Sequence, residues 1–155
     1  MGSTIILGTA ATFTNGNGYV RSKLDPPQYP ALGEYDDSKT EVVKQHLKWS
    51  RQANVGLWVT SWWGPNKLED ITTKYVILEH EDLGDMKIAL HYETSNRIRL
   101  GVDGVYSMEN IGPDLQHMCD NYFDHPNYFQ IDERPVVVLY ISRVLDGRGI
   151  LDQVV

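Results

Sequence analysis

Thr4 to Ala11 is an apolar run rich in β-branched residues, which predicts a first strand over about 4–11. It leads into a stretch punctuated by Asn15-Gly16-Asn17-Gly18, Pro26-Pro27 and Pro30, which reads as a long loop. Ser38 is followed three residues later by Glu41, a capping-box spacing that predicts a helix start. Val43, Leu47, Ser50 and Ala53 then share one helical stripe, with Lys44, Lys48 and Arg51 largely on the other side. Val55 to Ser61 is too short a run for a helix and ends at Trp62-Trp63-Gly64-Pro65, so a second strand is expected over 55–61. Leu68, Ile71, Tyr75 and Leu78 return to helical spacing, Gly84 supplies a left-handed stop, and a third strand is expected over 86–92. Ile111, Leu115, Met118 and Tyr122, with Phe123 beside them, form another helical stripe closed by His125-Pro126. Arg134-Pro135 opens a fourth strand over 135–141, and Leu145 to Val155 begins a last helix whose first turns Gly147 and Gly149 weaken.

Short buried strands alternating with amphipathic helices imply right-handed crossovers and a parallel sheet. The expected fold class is therefore α/β, a single parallel (βα)4 domain over 1–155, equivalent to half of a TIM-type (β/α)8 barrel or to a small open sheet. The chain has 155 residues, whereas a complete barrel typically takes about 250. Apolar residues make up 41% and charged residues 23%, ordinary values for a globular protein, and no apolar run approaches the roughly 18 residues of a membrane span. A net charge of −7 with no cluster of Lys and Arg argues against nucleic acid as partner, since phosphate binding relies on such clusters. Cys119 is the one cysteine; it builds neither a disulfide nor a cysteine zinc site within one chain, and a buried structural position is expected for it. No basic region followed by an apolar stretch and a small-residue cleavage site stands at the N-terminus, so no secretion signal is expected and the compartment stays open.

Ligands of parallel β/α folds meet the C-terminal ends of the strands. Trp62, Trp63, the segment His91-Tyr92-Glu93, Tyr140 and Arg143 lie at or near such ends. Tryptophan faces stack on the apolar faces of sugar rings, while carboxylate and guanidinium groups hydrogen-bond to hydroxyls, so these residues suit carbohydrate. The competing reading has Trp62 and Trp63 fill space under a loop, or splits them, one to the core and one to a site. Glu93 is the candidate for acid–base work, because a strand-end carboxylate in a partly dry pocket can have its pKa raised. It lacks an evident second carboxylate: Glu34, Asp36 and Asp37 are better used capping the first helix or facing solvent. His91 and Glu93 share a strand face, yet no third or fourth metal ligand stands at suitable spacing, and neither metal nor cofactor is expected. His125, before a proline, reads as a structural hydrogen-bonding group. Gly16-x-Gly18 fails as a nucleotide fingerprint because position 21 is Arg and no helix follows directly.

Two segments resemble glycoside hydrolase family 99, the endo-α-mannosidase family. The first is Pro30-Ala31-Leu32-Gly33-Glu34-Tyr35-Asp36-Asp37 with the helix after it and the strand ending Ser61-Trp62-Trp63-Gly64. The second is Asn121-Tyr122-Phe123-Asp124-His125-Pro126-Asn127-Tyr128-Phe129 followed by Arg134-Pro135-Val136-Val137-Val138-Leu139-Tyr140. Ile88-Ala89-Leu90-His91-Tyr92-Glu93 falls where the family's third strand ends in an acidic residue. The resemblance runs from about Pro30 to Arg143. It implies a (β/α)8-type barrel and a mannose-containing glycan as ligand; the strand-end positions make Trp62, Trp63, His91, Tyr92, Tyr140 and Arg143 the expected substrate contacts and Glu93 the catalytic candidate, although no residue here inherits the roles of the family's catalytic glutamates.

Three departures accompany it. The family's first strand is aromatic-rich, whereas Ile5 to Phe13 here is mostly small and aliphatic. The family's catalytic glutamates lie in a Glu-x-x-Glu motif of the second half of the barrel, and this sequence stops before it, so weak or absent hydrolysis is expected. A single copy also lacks the strands that close a barrel, which suggests a homodimer in which two halves complete one another. A glycosidase, a non-catalytic carbohydrate-binding module and a self-assembling structural protein all remain compatible with these features.

Overall fold

A computed structural model describes residues 5–7, 32 and 35–154. Four parallel strands form the main sheet: β1 (Ile5–Leu7), β2 (Leu57–Trp62), β3 (Lys87–Tyr92) and β8 (Val137–Leu139). They stand side by side in chain order, with Ile5 opposite Trp58, Ser61 opposite His91 and His91 opposite Val138. Two short antiparallel hairpins lie outside that sheet, β4 (Arg99–Leu100) with β5 (Tyr106–Ser107) and β6 (Gln130–Ile131) with β7 (Arg134–Pro135). The remainder of the expected first strand, Thr4 and residues 8–11, and most of the long loop lie outside the described residues.

Side chains alternate between the faces of a strand, and here the alternation assigns one face to the helices. Trp58, Trp62, Ile88, Leu90 and Tyr92 form one buried cluster with Val43 and Leu47 of α1 (Thr40–Gln52), Ile77 and Leu78, and Met118 of α4 (Ile111–Met118) with Tyr122 beyond it. Helices from three successive connections thus share one face, as consecutive right-handed crossovers between neighbouring strands require. A doubly wound sheet would divide them between two faces. The other face carries Val59, Ala89, Ser61 and His91, all buried.

The helices differ from their periodic stripes in instructive ways. Lys39, not Ser38, precedes α1, and no side chain caps it. Ser38 instead gives its N–H and hydroxyl to Asp36 Oδ1, forming a turn one step earlier. Val43 and Leu47 are buried as expected, but Ala53 is exposed. After α2 (Leu68–Thr72) the chain continues as a π-helical turn, Thr73–Ile77. Ile71 and Tyr75 face outward while Asp70, Thr72, Thr73, Ile77 and Leu78 are buried; from Thr73 onward the wider turn shifts the side chains off ideal α spacing. A second π turn, Cys119–Phe123, extends α4. Met118 at the end of α4 and Tyr122 in this turn are buried, Leu115 is exposed, and Cys119 is exposed rather than buried.

Gly84 has φ +60, the left-handed stop that its position suggests. The fourth strand is shorter than 135–141, because Ile141 turns to φ +46 after Tyr140 N–H has bonded to Tyr92 carbonyl. The last segment is divided into α5 (Ser142–Gly147) and a 3₁₀ turn, Leu151–Gln153, with Gly149 at φ +68 between them. Among the described residues, no helix is long and apolar enough to cross a membrane.

Candidate functional site

The ends of β2 and β3 are in register, so Ser61 and His91 are partners on the face turned away from the helices. Glu93 follows β3 and joins them. Its Oε1 accepts a 2.5 Å hydrogen bond from Ser61 Oγ, and His91 Nδ1 stands 3.6 Å from the same oxygen. The second distance is too long for a hydrogen bond. His91 Nδ1 is consequently buried without a partner among the described residues. Tyr140, after β8, meets the His91 ring edge-on at 5.4 Å and is itself 39% exposed. This brings together three strand ends with a carboxylate, an imidazole, a hydroxyl and an exposed aromatic ring.

The two neighbouring tryptophans part ways. Trp62 is fully buried on the helix side, stacked on Tyr92 at 5.7 Å, with Nε1–H donating to Asp70 Oδ1 at 2.7 Å. Trp63 has the same strand parity as Ser61, is partly exposed, and its Nε1 is buried without a partner among the described residues. A buried donor left unpaired costs about 1–3 kcal/mol, so this indole is short of an acceptor.

Of the residues expected from sequence, the structure gathers His91, Glu93 and Tyr140 and leaves Trp63 with an unmet donor. It sends Trp62 and Tyr92 to the opposite face, where both are held within the core. Tyr92 is 3% exposed and its hydroxyl donates to Asp114 Oδ2 at 2.7 Å. Arg143 is exposed on α5 and forms no ion pair among the described residues. Ser61 was not singled out by residue type. Pairing 55–61 against 86–92 and counting parity is the signal that identifies it.

Two buried aspartates brace these strand ends from the helix side. Asp70 Oδ1 receives Trp62 Nε1–H, Tyr122 hydroxyl at 2.5 Å and the ring nitrogen Nε2 of His117 at 3.0 Å, while Oδ2 receives Asn66 N–H at 2.8 Å. Burial pushes the Asp70 carboxyl up, but the donors from Tyr122, Trp62, Asn66 and His117 together outweigh it and hold the group below its ordinary range. Asp114, 0% exposed, accepts Tyr92 and a two-pronged contact from Arg97, Nε at 2.7 Å and Nη2 at 2.6 Å. Burial and the bonds to these carboxylates raise both tyrosine hydroxyls above their ordinary range, so they remain donors. His125 serves the structure, its Nδ1 accepting Asn127 N–H at 3.1 Å.

A parallel sheet in chain order, with the described crossover helices α1, α2 and α4 on one face and polar groups collected at the strand C-termini, defines a singly wound β/α protein of the barrel-forming kind. The sequence profile of glycosyl hydrolase family 99 matches residues 9–149, and the chain belongs to that family. It is 27% identical over 143 residues to the glycoprotein endo-alpha-1,2-mannosidase of Mus musculus, covering 81% of this chain and 29% of that protein. Against the glycoprotein endo-alpha-1,2-mannosidase-like protein of Homo sapiens the identity is 24% over 123 residues, 72% of this chain and 25% of that one. The structure resembles the GH99 endo-alpha-mannosidase from Bacteroides thetaiotaomicron in complex with BIS-TRIS-propane, with a TM-score of 0.58 and 28% identity over 75% of this chain and 33% of that chain. A second structure of an enzyme so named from the same organism gives a TM-score of 0.57 and 26% identity over 80% and 35%. The chain thus spans 25–29% of the curated relatives it matches and about a third of the solved structures.

Proposed function

We propose that this chain forms one wall of a glycan-binding cleft of the family 99 kind, and that its ligand is a mannose-containing oligosaccharide. The observation that carries the reading is the strand-end group of Ser61, His91 and Glu93, with unpaired Nδ1 of His91 and Nε1 of Trp63. Sugar hydroxyls both donate and accept, and they match such a set. Glu93 Oε1 is engaged by Ser61, and because no described residue donates to Oε2, this reading gives that oxygen to a sugar hydroxyl. Trp63 and Tyr140 supply aromatic surface beside these polar atoms. The names of the similar proteins, endo-mannosidases, select mannose among the sugars.

Cleavage of a glycosidic bond needs two carboxyl groups facing the bond, about 5–5.5 Å apart for retention or about 6.5–9.5 Å for inversion. Glu93 supplies one. Asp70 and Asp114 are committed to buried hydrogen bonds on the helix side of the sheet and are poor second members. The residues described here therefore support binding, with hydrolysis weak or absent unless carboxylates outside this set join Glu93. A non-catalytic binding module and a self-assembling protein are the competing outcomes.

We further propose that the sheet is half of a barrel. Among the described residues, β1 and β8 of the four-stranded sheet each have one neighbour. A two-fold axis along the barrel would pair β8 of each copy with β1 of the other in parallel, giving eight strands with no free edge.

Isothermal titration with mannan oligosaccharides, run beside a reducing-end assay, tests the reading. Binding heat with few or no new reducing ends is the expected result. No heat with any mannoside would overturn it.

A further inference from the structure

The Asp114 carboxylate lies across the sheet from the strand-end cluster, yet each of its partners adjoins a site residue. Tyr92, which donates to Oδ2 at 2.7 Å, immediately precedes Glu93. Arg97, which grips both oxygens, closes the short helix α3 (Thr94–Arg97) for which Glu93 is the N-terminal flanking residue. The same guanidinium packs on Gly64, directly after Trp63: a Cβ at Gly64 would stand 3.1 Å from Arg97 Nη1, and the backbone there has φ +122. Thr94, on the far side of Glu93, donates its hydroxyl to the Tyr140 carbonyl at 2.9 Å, and Asn110 Nδ2 holds the Arg97 carbonyl at 2.9 Å. One buried charge on α4 is therefore linked to the chain on both sides of Glu93 and to the turn that follows Trp63.

Stability alone gives little reason for a charged pair here. Taking two ions out of water costs much of what their attraction returns, and apolar replacements of similar volume are often as stable. What the two-pronged contact adds is geometry, because the planar guanidinium fork fixes both distance and orientation. We infer that Asp114 and Arg97 are positioning residues that set the placement of the Glu93 carboxylate relative to the Trp63 indole, and through it the affinity of the strand-end cleft for sugar hydroxyls. Asp114 is itself fully buried. The inference rests on the reading of the strand ends as a glycan site, but its geometric part can be measured without any sugar.

The test uses the full chain carrying Asp114→Asn, alone and combined with Glu93→Gln. In the ligand-free protein, the Glu93 carboxyl carbon and the Trp63 indole N–H are followed by NMR, and mannan oligosaccharide affinity is then measured by calorimetry. Folded D114N is expected to shift both resonances without sugar and to weaken binding about tenfold. In the E93Q background the same substitution is expected to change affinity less than about twofold, since residues that act through one another are non-additive. Unmoved Glu93 and Trp63 resonances in a folded D114N protein, or a tenfold loss that persists in E93Q, would overturn the inference. If D114N does not fold, Arg97→Lys keeps the charge and removes the fork, and it is expected to give the same two shifts; a folded R97K protein without them is equally contrary. Failure of the wild-type chain to bind any mannoside would sink the glycan reading and leave the ligand-free shifts to judge the positioning.

Discussion

Ser61 Oγ and Glu93 Oε1 are 2.5 Å apart across the paired ends of β2 and β3. The hydroxyl is the one side-chain donor that hydrogen-bonds to the carboxylate among the described residues, and it engages Oε1. Replacing Ser61 with Ala deletes that donor without disturbing the ladder. Thermal or denaturant unfolding is expected to show a loss of about 1 kcal/mol, while calorimetry should show mannoside affinity falling severalfold. Unchanged affinity in S61A would mean that Glu93 is not oriented for a ligand by this bond.

Trp62 is bound into the core and Trp63 is not, so their conservative replacements should separate stability from binding. Phenylalanine at 62 removes a donor from a buried carboxylate and part of a fully buried ring. A cost of about 2–3 kcal/mol in denaturant unfolding is expected. Phenylalanine at 63 removes a buried donor that has no partner among the described residues, which relieves its desolvation cost and offsets the smaller ring, so stability against unfolding should be no lower than that of wild type.

Asp70 gives the protein a defined acid sensitivity. Its carboxyl is held below the ordinary range in the folded protein, so folding favours the ionised form. The stabilisation is fully present above the unfolded value of about 3.9 and is lost as pH falls through the depressed folded value. Unfolding free energy measured from pH 6 down to pH 2 should therefore drop steeply below about pH 4. In Asp70→Asn, which is less stable at neutral pH, that part of the slope should be missing.

A two-fold closure of the sheet makes a prediction for the chain in solution. Light scattering on a size-exclusion column should give twice the 17.7 kDa of one chain. A clean monomer would mean that both sheet edges are covered in some other way, and the shared-barrel reading would fall.

Much of this layout is legible in the sequence, and the reasons it becomes illegible are local. The short apolar runs around Val59 and Ala89 announce the two inner strands, and the run around Val138 announces β8 at the sheet's edge. Gly84 and the glycines at 147 and 149 mark real interruptions, since each sits at or beside a positive φ or a helix break. Ile71 and Leu115 mislead because α2 and α4 turn the polar Asp70 and Asp114 inward in their place, and Tyr75 misleads because it lies in the π turn Thr73–Ile77, where the helical period changes. Composition gives no warning that a buried face is built on aspartates. The site is half readable: residue type points to Glu93, His91 and Tyr140, but only strand parity distinguishes Trp63 from Trp62 and brings in Ser61. Tyr92 looks like a site residue for its position at the strand end, yet the same parity turns it to the helices.

The most direct test of the glycan-binding cleft is an NMR titration of the tryptophan indole N–H groups with a mannan oligosaccharide, with the Trp63 resonance assigned by Trp63→Phe. Trp58 and Trp62 already donate to Ser50 and Asp70 at 2.9 and 2.7 Å, whereas Trp63 has no acceptor among the described residues. The account predicts a saturable shift of the Trp63 resonance, with those of Trp58 and Trp62 nearly still. A Trp63 signal that stays in place at saturating sugar would contradict it.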